Sequence, residues 1–236
     1  MKRLLTLCAI TGFILAAAGP TAADNVITPP WAGLDRTVHA EWDNWTNFPN
    51  TMPPDNWDSL PGGLDSPSAS AGQTASLLSS LEGRNNVIEL TGDGGLLFDM
   101  PNFVGGDYKE VWIQVTYYKM PDQSPFFNVY TEEENGYVTE SVLEGSTQPD
   151  VNGWVTEAWS FQIYPNPDWE AITLSFSISD GNPPVIQAAG GTPPLPYPAY
   201  IDQVVIDTMC VPEPATMALL GLGSLALLRK RRAGCN

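Results

Sequence analysis

Apolar and polar residues alternate along much of the chain between residues 86 and 207. The alternation is strict in residues 171–179, where every second residue from Ile172 to Ile178 is apolar and those between are threonine or serine. A period of two is the signature of a β-strand that buries one face. Comparable runs occupy residues 37–42, 86–91, 95–99, 108–120, 126–131, 137–143, 153–164 and 199–207.

Glycine, proline and asparagine separate these runs, and no segment between them has a convincing amphipathic helical pattern. About eight or nine short strands with such turns predict an all-β domain, a β-sandwich. In residues 108–120 aromatic residues also occupy the second face, which predicts partial burial on both sides. Residues 24–72 are rich in proline, asparagine, aspartate and tryptophan, and they predict long loops, with a flexible loop at residues 60–72.

The first residues have the pattern of a signal peptide. Lys2 and Arg3 precede an apolar run at residues 4–18, and small residues follow before Asp24. The apolar run has about 15 residues, fewer than the roughly 20 that a helix needs to cross a bilayer. We therefore predict a cleaved signal peptide at residues 1–23.

The other end of the chain has an apolar segment at residues 215–228, followed by a basic cluster. At 1.5 Å per residue this segment spans about 21 Å, against a hydrocarbon core of about 30 Å, so it predicts a short transmembrane helix that is a poor permanent anchor. The prolines before it predict that the folded domain, residues 24–210, stops there. The cluster should remain cytoplasmic; it consists of Arg229, Lys230, Arg231 and Arg232.

The features at this end of the chain, taken together, resemble the PEP-CTERM sorting signal of exported bacterial proteins. The resemblance covers residues 211–232: the apolar segment, the basic cluster and a motif made of Val211, Pro212, Glu213 and Pro214. It implies cleavage near this motif by an exosortase-type membrane protease. It also implies transient anchoring in the inner membrane and delivery to the envelope, cell surface or extracellular matrix.

The predicted mature domain is strongly acidic. Residues 24–210 contain four basic and 26 acidic residues, a net charge of −22. Such a charge opposes binding to nucleic acid or an anionic membrane, favours solubility and attracts cations such as calcium. Cys210 is the only cysteine between the two predicted signals, which excludes a disulfide within the domain.

Catalytic chemistry has little support in the sequence, and we predict no catalytic residue. His39 is the only histidine, and a position on a half-exposed strand explains it. A thiol–imidazole pair with Cys210 is discounted because that cysteine abuts the sorting motif. The alternative function is a secreted polysaccharide hydrolase, for which Glu157 and Glu170, near three tryptophans, are the paired carboxylates to test.

Calcium is the one cofactor that the sequence suggests. Hard oxygen ligands are available in turns and near strand ends, although no EF-hand spacing is present. A calcium-stabilised adhesion module is therefore a further alternative. The predicted ligands are Asp93, Asp99, Asp107 and Asp202, with Asn102 beside them.

Polysaccharide is the expected ligand if the domain binds one. Trp42, Trp45 and Trp57 lie in segments rich in aspartate and asparagine, where exposed rings could stack on sugars, although large aromatic residues are more often core residues. Residues 200–207 resemble the closing strand of jelly-roll carbohydrate-binding-type domains. We predict a non-enzymatic exported surface or matrix protein that binds polysaccharide or has a structural role.

Overall fold

The computed structural model describes residues 27–58, 66–103, 105–131, 136–178 and 195–211. This part of the chain is all-β and forms two antiparallel sheets in a sandwich. The strands are β1 (Thr37–Trp42), β2 (Asn56–Trp57), β3 (Ser68–Ala71), β4 (Ala75–Leu81), β5 (Arg84–Gly92), β6 (Leu96–Met100), β7 (Tyr108–Tyr118), β8 (Gln123–Thr131), β9 (Tyr137–Val138), β10 (Val142–Ser146), β11 (Trp154–Tyr164), β12 (Glu170–Ile178) and β13 (Leu195–Val211).

The larger sheet has nine strands. Its main order is β10-β11-β7-β13-β1-β2, with β5 paired to the first part of β13, β4 paired to β5, and β9 paired to the end of β11. The smaller sheet has the order β3-β6-β12-β8. Consecutive strands often lie in different sheets, so the fold depends on long-range pairing rather than on local hairpins.

The core lies between the facing sides of the two sheets. Alternate residues of β7, from Val111 to Tyr117, point into it and are buried, and they meet the apolar face of β12 that includes Ile172 and Phe176. The second face of β7 is covered as well, because Trp31 packs on Trp112 and Ala158 there. The predicted burial of both faces of this strand is therefore confirmed.

The all-β sandwich predicted from the alternation is confirmed, and β1 has the predicted bounds. The prediction of a flexible loop at residues 60–72 is wrong for its last part, because β3 pairs with β6 there and Ala69 is buried. The small residues of this strand fit closely against the sheet, although they give a weak hydrophobic pattern. β4 has no counterpart among the predicted strands.

Several predicted segments lie outside the described residues. These are the signal peptide, the apolar segment at residues 215–228, the basic cluster at 229–232, and the motif residues Pro212, Glu213 and Pro214. Among the residues that the structure describes, no helix is long and apolar enough to cross a membrane.

The last strand, β13, runs through the larger sheet between β7 and β1 and ends at Val211. We call this end of the sandwich the tail end; it also holds the start of β7 and the end of β11. The opposite end, at the turn of residues 150–153 before β11, is called the far end. These two names are used below to locate the surface features of the sandwich.

Candidate functional site

An open cleft of about 290 Å³ lies at the tail end of the sandwich. It forms between the end of β6 with the loop that follows and the turn that leads into β12. This volume approaches the lower limit of typical small-molecule sites. The lining residues are Ser66, Asp99, Met100, Pro101, Asn102, Asp168, Trp169 and Glu170.

Trp169 gives the cleft an exposed aromatic ring. All eight tryptophans lie in the described residues, and Trp169 is the one that is largely exposed, at 48%. It follows a turn of two prolines, an asparagine and an aspartate, residues 165–168. Prolines fix the backbone angle φ and so restrict how this turn can relax. The turn therefore restricts the backbone just before the half-exposed ring.

Hydrogen bonds fix the turn that carries Trp169. The backbone N–H of Asn166 donates to the carbonyl of Asp107 at 3.2 Å, and its side-chain amide donates to the carbonyl of Phe103 at 3.2 Å. The side-chain amide of Asn102 donates to the carbonyl of Pro167 from the other side. These bonds tie the turn to the starts and ends of neighbouring strands, so the cleft is largely preformed.

A second half-exposed aromatic ring lies on the smaller sheet. Tyr130, in β8, is 45% exposed and lies opposite Ala171 in the register of the smaller sheet. Asp99 lies opposite Ala171 from the other neighbouring strand. Trp169 precedes Ala171 by two residues, just before the paired part of β12. Tyr130 and Asp99 therefore flank Ala171 on one face of the smaller sheet, and Asp99 also lines the cleft.

A buried ion pair forms the floor of the cleft. The ammonium group of Lys109, in β7, donates to a carboxylate oxygen of Glu170, in β12, and both side chains are fully buried. The same ammonium group lies 3.4 Å from the carbonyl of Pro101. Because β7 and β12 belong to different sheets, this pair links the two sheets beneath the cleft. The two opposite charges of the pair neutralise each other, and neither side chain is exposed to solvent.

Cys210 lies beside the ion pair. Its thiol donates to the side-chain oxygen of Asn102 at 2.8 Å, and Lys109 is its register partner across β7 and β13. Burial raises the pKa of the Cys210 thiol, an effect that the nearby Lys109 opposes. A buried thiol with a raised pKa is a poor nucleophile. His39 lies on β1 against Asp207, so the structure does not unite these two residues.

The three tryptophans predicted to stack on sugars are buried or partly buried in the structure. Trp42 and Trp45 are each 1% exposed, and their indole N–H groups donate to the carbonyls of Met52 and Asp202 at 3.1 and 2.8 Å. Trp57 is partly buried against the core. The cavity beside the first two rings is about 60 Å³, the share of about two water molecules. Neither buried ring offers a face to a sugar.

The predicted calcium ligands are not gathered into one site. Asp93 follows β5, Asp99 lies in β6 and Asp107 precedes β7. Asp202 is in β13 and accepts a hydrogen bond from Arg84 at 3.0 Å. In the part of the chain that the structure describes, no three His, Cys, Asp or Glu side chains are close enough to hold a metal ion.

The predicted glutamate pair is separated along β7. Glu157 lies opposite Val115 in the register and binds Lys119 at 3.0 Å, whereas Glu170 binds Lys109. Val115 and Lys109 are six residues apart in one strand, about 20 Å at 3.3 Å per residue. Glycosidases hold their carboxyl groups about 5–10 Å apart. These two glutamates therefore lie at different points of the sandwich.

His39 forms a partly buried pair on the outer face of the larger sheet. Its Nδ1 lies 2.8 Å from a carboxylate oxygen of Asp207, its register partner in β13. The hydrogen bond to Asp207 raises the pKa of His39, partial burial opposes this effect, and the negative charges of Asp58 and Glu41 add to it. The pair is a cross-strand contact of β1 and β13, remote from the cleft.

Comparison with known proteins bears on the end of the chain. Residues 211–232 match the family model described as the PEP-CTERM protein-sorting motif. No curated protein matches the chain. The motif marks an exported protein that is sorted through an exosortase, a membrane protease, and is anchored in the membrane while it is sorted, with later release to the cell surface. The resemblance of β13 to jelly-roll carbohydrate-binding-type domains stays a prediction.

Proposed function

We propose that this exported protein has a non-enzymatic role at the cell surface or in the extracellular matrix, where it binds polysaccharide in the tail-end cleft. One observation carries the proposal: Trp169 follows a hydrogen-bonded turn and stays half-exposed beside a preformed cleft that Asp99 and Asp168 also line. A large aromatic residue in solvent forgoes the burial that stabilises the other tryptophans. A ligand that covers the ring would recover that burial.

The chemistry of the cleft suits a sugar. A pyranose ring presents C–H groups on its faces and hydroxyl groups around its rim, so it can pack flat on an indole while its rim forms hydrogen bonds. Asp99 and Asp168 are exposed next to Trp169 and supply acceptors for sugar hydroxyls. Tyr130 adds a second exposed ring on the sheet face that carries Asp99, which suits two or more consecutive sugar units.

The charge of the cleft favours neutral or amine-bearing sugars. Two exposed carboxyl residues line it, Asp99 and Asp168, and no basic residue does. The nearest described cation in contact with the lining, Lys109, is buried and occupied by Glu170. Carboxylates of a uronate polymer would meet like charges here, which is unfavourable. Binding of chitosan should therefore exceed that of alginate.

The test is a binding assay with the exported protein and a panel of cellulose, chitosan and alginate. Trp169→Ala should weaken binding to the preferred polymer at least tenfold, and Tyr130→Ala should weaken it by a smaller factor. Tyr137→Ala is the matched control, because that tyrosine is 59% exposed on a different sheet. Equal binding by the native protein, Trp169→Ala and Tyr137→Ala would overturn the proposed site.

A further inference from the structure

Three tyrosine rings stack at the tail end of the larger sheet, and we call them the tyrosine ladder. Tyr108 lies in β7, Tyr164 ends β11 and Tyr137 begins β9. The ring centres of Tyr137 and Tyr164 are 4.9 Å apart with the planes at 4°, and those of Tyr164 and Tyr108 are 4.9 Å apart with the planes at 22°. At the far end, Tyr118 and Trp154 instead meet edge to face, at 78°. The ladder spacing matches the distance between paired strands, so strand register stacks the rings.

The ladder ends in the most exposed tyrosine of the protein. All eight tyrosines lie in the described residues, and two of them are largely exposed, Tyr137 at 59% and Tyr130 at 45%. Tyr108 and Tyr164 are half-buried. In the described part of the chain, Tyr130 belongs to no ring pair. The exposed phenols of Tyr137 and Tyr130 therefore differ in whether a second ring is stacked on them.

A stacked neighbour makes an aromatic ring easier to oxidise. Loss of an electron leaves the ring positively charged, and the negative face of a parallel ring attracts that charge, as in a cation–π contact. Burial, and after it charged neighbours that include Glu110 and Asp107, raise the pKa of the Tyr108 and Tyr164 phenols. The same carboxylates attract the positive charge of an oxidised ring. An electron is therefore lost more readily from the ladder than from an isolated exposed tyrosine.

We propose that Tyr137 is a site of oxidative coupling, at which two copies of this protein are joined by a dityrosine cross-link. The oxidant is hydrogen peroxide, used by a haem peroxidase outside the cell. Each of two Tyr137 phenols loses one electron and one proton, and the two radicals form a carbon–carbon bond between the ring positions next to their hydroxyl groups. The hydrogen on each joined carbon then moves to the phenol oxygen. The pair of proteins loses two hydrogen atoms in all, and the peroxide becomes two water molecules.

A covalent link through tyrosine suits an exported protein of this charge. Copies of so acidic a domain repel one another, so a covalent bond holds them together where non-covalent contacts are weakened. Cys210, the only cysteine of the predicted mature domain, is buried and does not offer a disulfide between copies. The cross-link does not depend on polysaccharide binding, because the ladder lies on the larger sheet and uses neither Trp169 nor Tyr130.

The first test treats the exported protein with a haem peroxidase and hydrogen peroxide at about 0.15 M salt, where repulsion between copies is screened beyond about 8 Å. Covalent dimers are digested and mapped by mass spectrometry. We expect the cross-linked peptides to join Tyr137 to Tyr137 with the loss of two hydrogen atoms. Tyr137→Phe keeps the ring but removes the phenol, and it should lower the yield of dimer about tenfold, whereas the matched Tyr130→Phe should leave the yield almost unchanged. Absence of dimers, or dimers joined mainly at another tyrosine, would overturn the proposal.

Tyr164→Leu tests the ladder itself, with dityrosine fluorescence as the measure of the coupling rate. This variant removes the ring stacked on Tyr137 and leaves the exposed phenol, so coupling should slow about tenfold. Any loosening of β9 would expose Tyr137 further and speed the coupling, so a slower rate reports the lost ring and not a local unfolding. A rate that stays unchanged or rises would overturn the role of the ladder. Native cross-links divided between Tyr137 and Tyr130 in the ratio of their exposed fractions would do the same.

Discussion

Two regions of this protein contain tryptophans but differ in how far the rings are buried. The first, which we call the tryptophan loop, is residues 42–57; its Trp42 and Trp45 are buried and bonded to backbone carbonyls. The second is the turn at residues 165–169, in which Trp169 stays half-exposed at the cleft. Both regions are rich in proline, asparagine and aspartate. Composition alone does not distinguish an aromatic residue that holds the core from one that is available to a ligand.

The difference in ring burial follows from which parts of the sheets each segment is hydrogen-bonded to. The tryptophan loop folds back over the sheets: the carboxylate of Asp55 accepts the N–H groups of Asp43 and Asn44, and Met52 forms an isolated bridge with Ala69 of the smaller sheet. The turn before β12 is tied at its asparagine and at Pro167, and Trp169, which follows it, stays half-exposed. The rings of the first segment are buried in the core, whereas the ring of the second borders an open cleft.

The largest expected effect comes from removing a buried ring. Trp42→Ala should lower the free energy of unfolding by about 3–5 kcal/mol, because it leaves a cavity against Phe98 and removes one of the two hydrogen bonds that the carbonyl of Met52 accepts. Denaturant unfolding of the exported protein measures the change. A loss below 1 kcal/mol would show that the tryptophan loop does not hold the core as described here.

The floor of the cleft should be nearly as sensitive. Lys109→Met leaves Glu170 as an uncompensated buried carboxylate, and it should cost about 3–5 kcal/mol. The double change Lys109→Met with Glu170→Leu removes both charges, so it should recover most of that loss. Thermal or denaturant unfolding of the three proteins is the measurement. A double variant as unstable as the single one would contradict the ion-pair explanation.

Trp169→Ala should separate binding from stability. We expect its free energy of unfolding to stay within about 0.5 kcal/mol of the native value, as for other exposed positions. Its loss of polysaccharide binding, at least tenfold, corresponds to about 1.4 kcal/mol. Unfolding and binding are measured on one preparation. A destabilisation comparable to that of Trp42→Ala would remove the contrast between the two regions.

The smallest expected effect is a pH dependence in the tryptophan loop. Burial and the negative charge of Asp55 raise the pKa of Asp43 from 3.8 to about 6. The folded state therefore keeps a proton that the unfolded chain has released, and stability is lost as the pH rises from about 4 through 6. Asp43→Asn should flatten this part of the stability curve and be the more stable protein at pH 7. An unchanged curve would contradict the coupling to Asp55.

Periodic segments were the predictable part of the fold. The alternation in residues 171–179 and 108–120 sufficed for β12 and β7, because one strand face must meet the core whatever its partner is. The strand β3 was missed because its serine and alanine residues carry little hydrophobic signal; its burial comes from pairing with β6. The turn chemistry before Trp169 was visible in the sequence, but nothing local indicated that it borders a cleft.

The sequence by itself determined the sorting motif, the acidic charge and the strand-rich character of the domain, because each is a property of contiguous residues. Tertiary structure alone decided that Glu170 pairs with Lys109 and that Glu157 lies far away. It also decided that Trp169 and Asp99 meet at the end where the sorting motif begins. Residues distant in the chain become neighbours only through strand register, and register is set by how the two sheets bury their faces together.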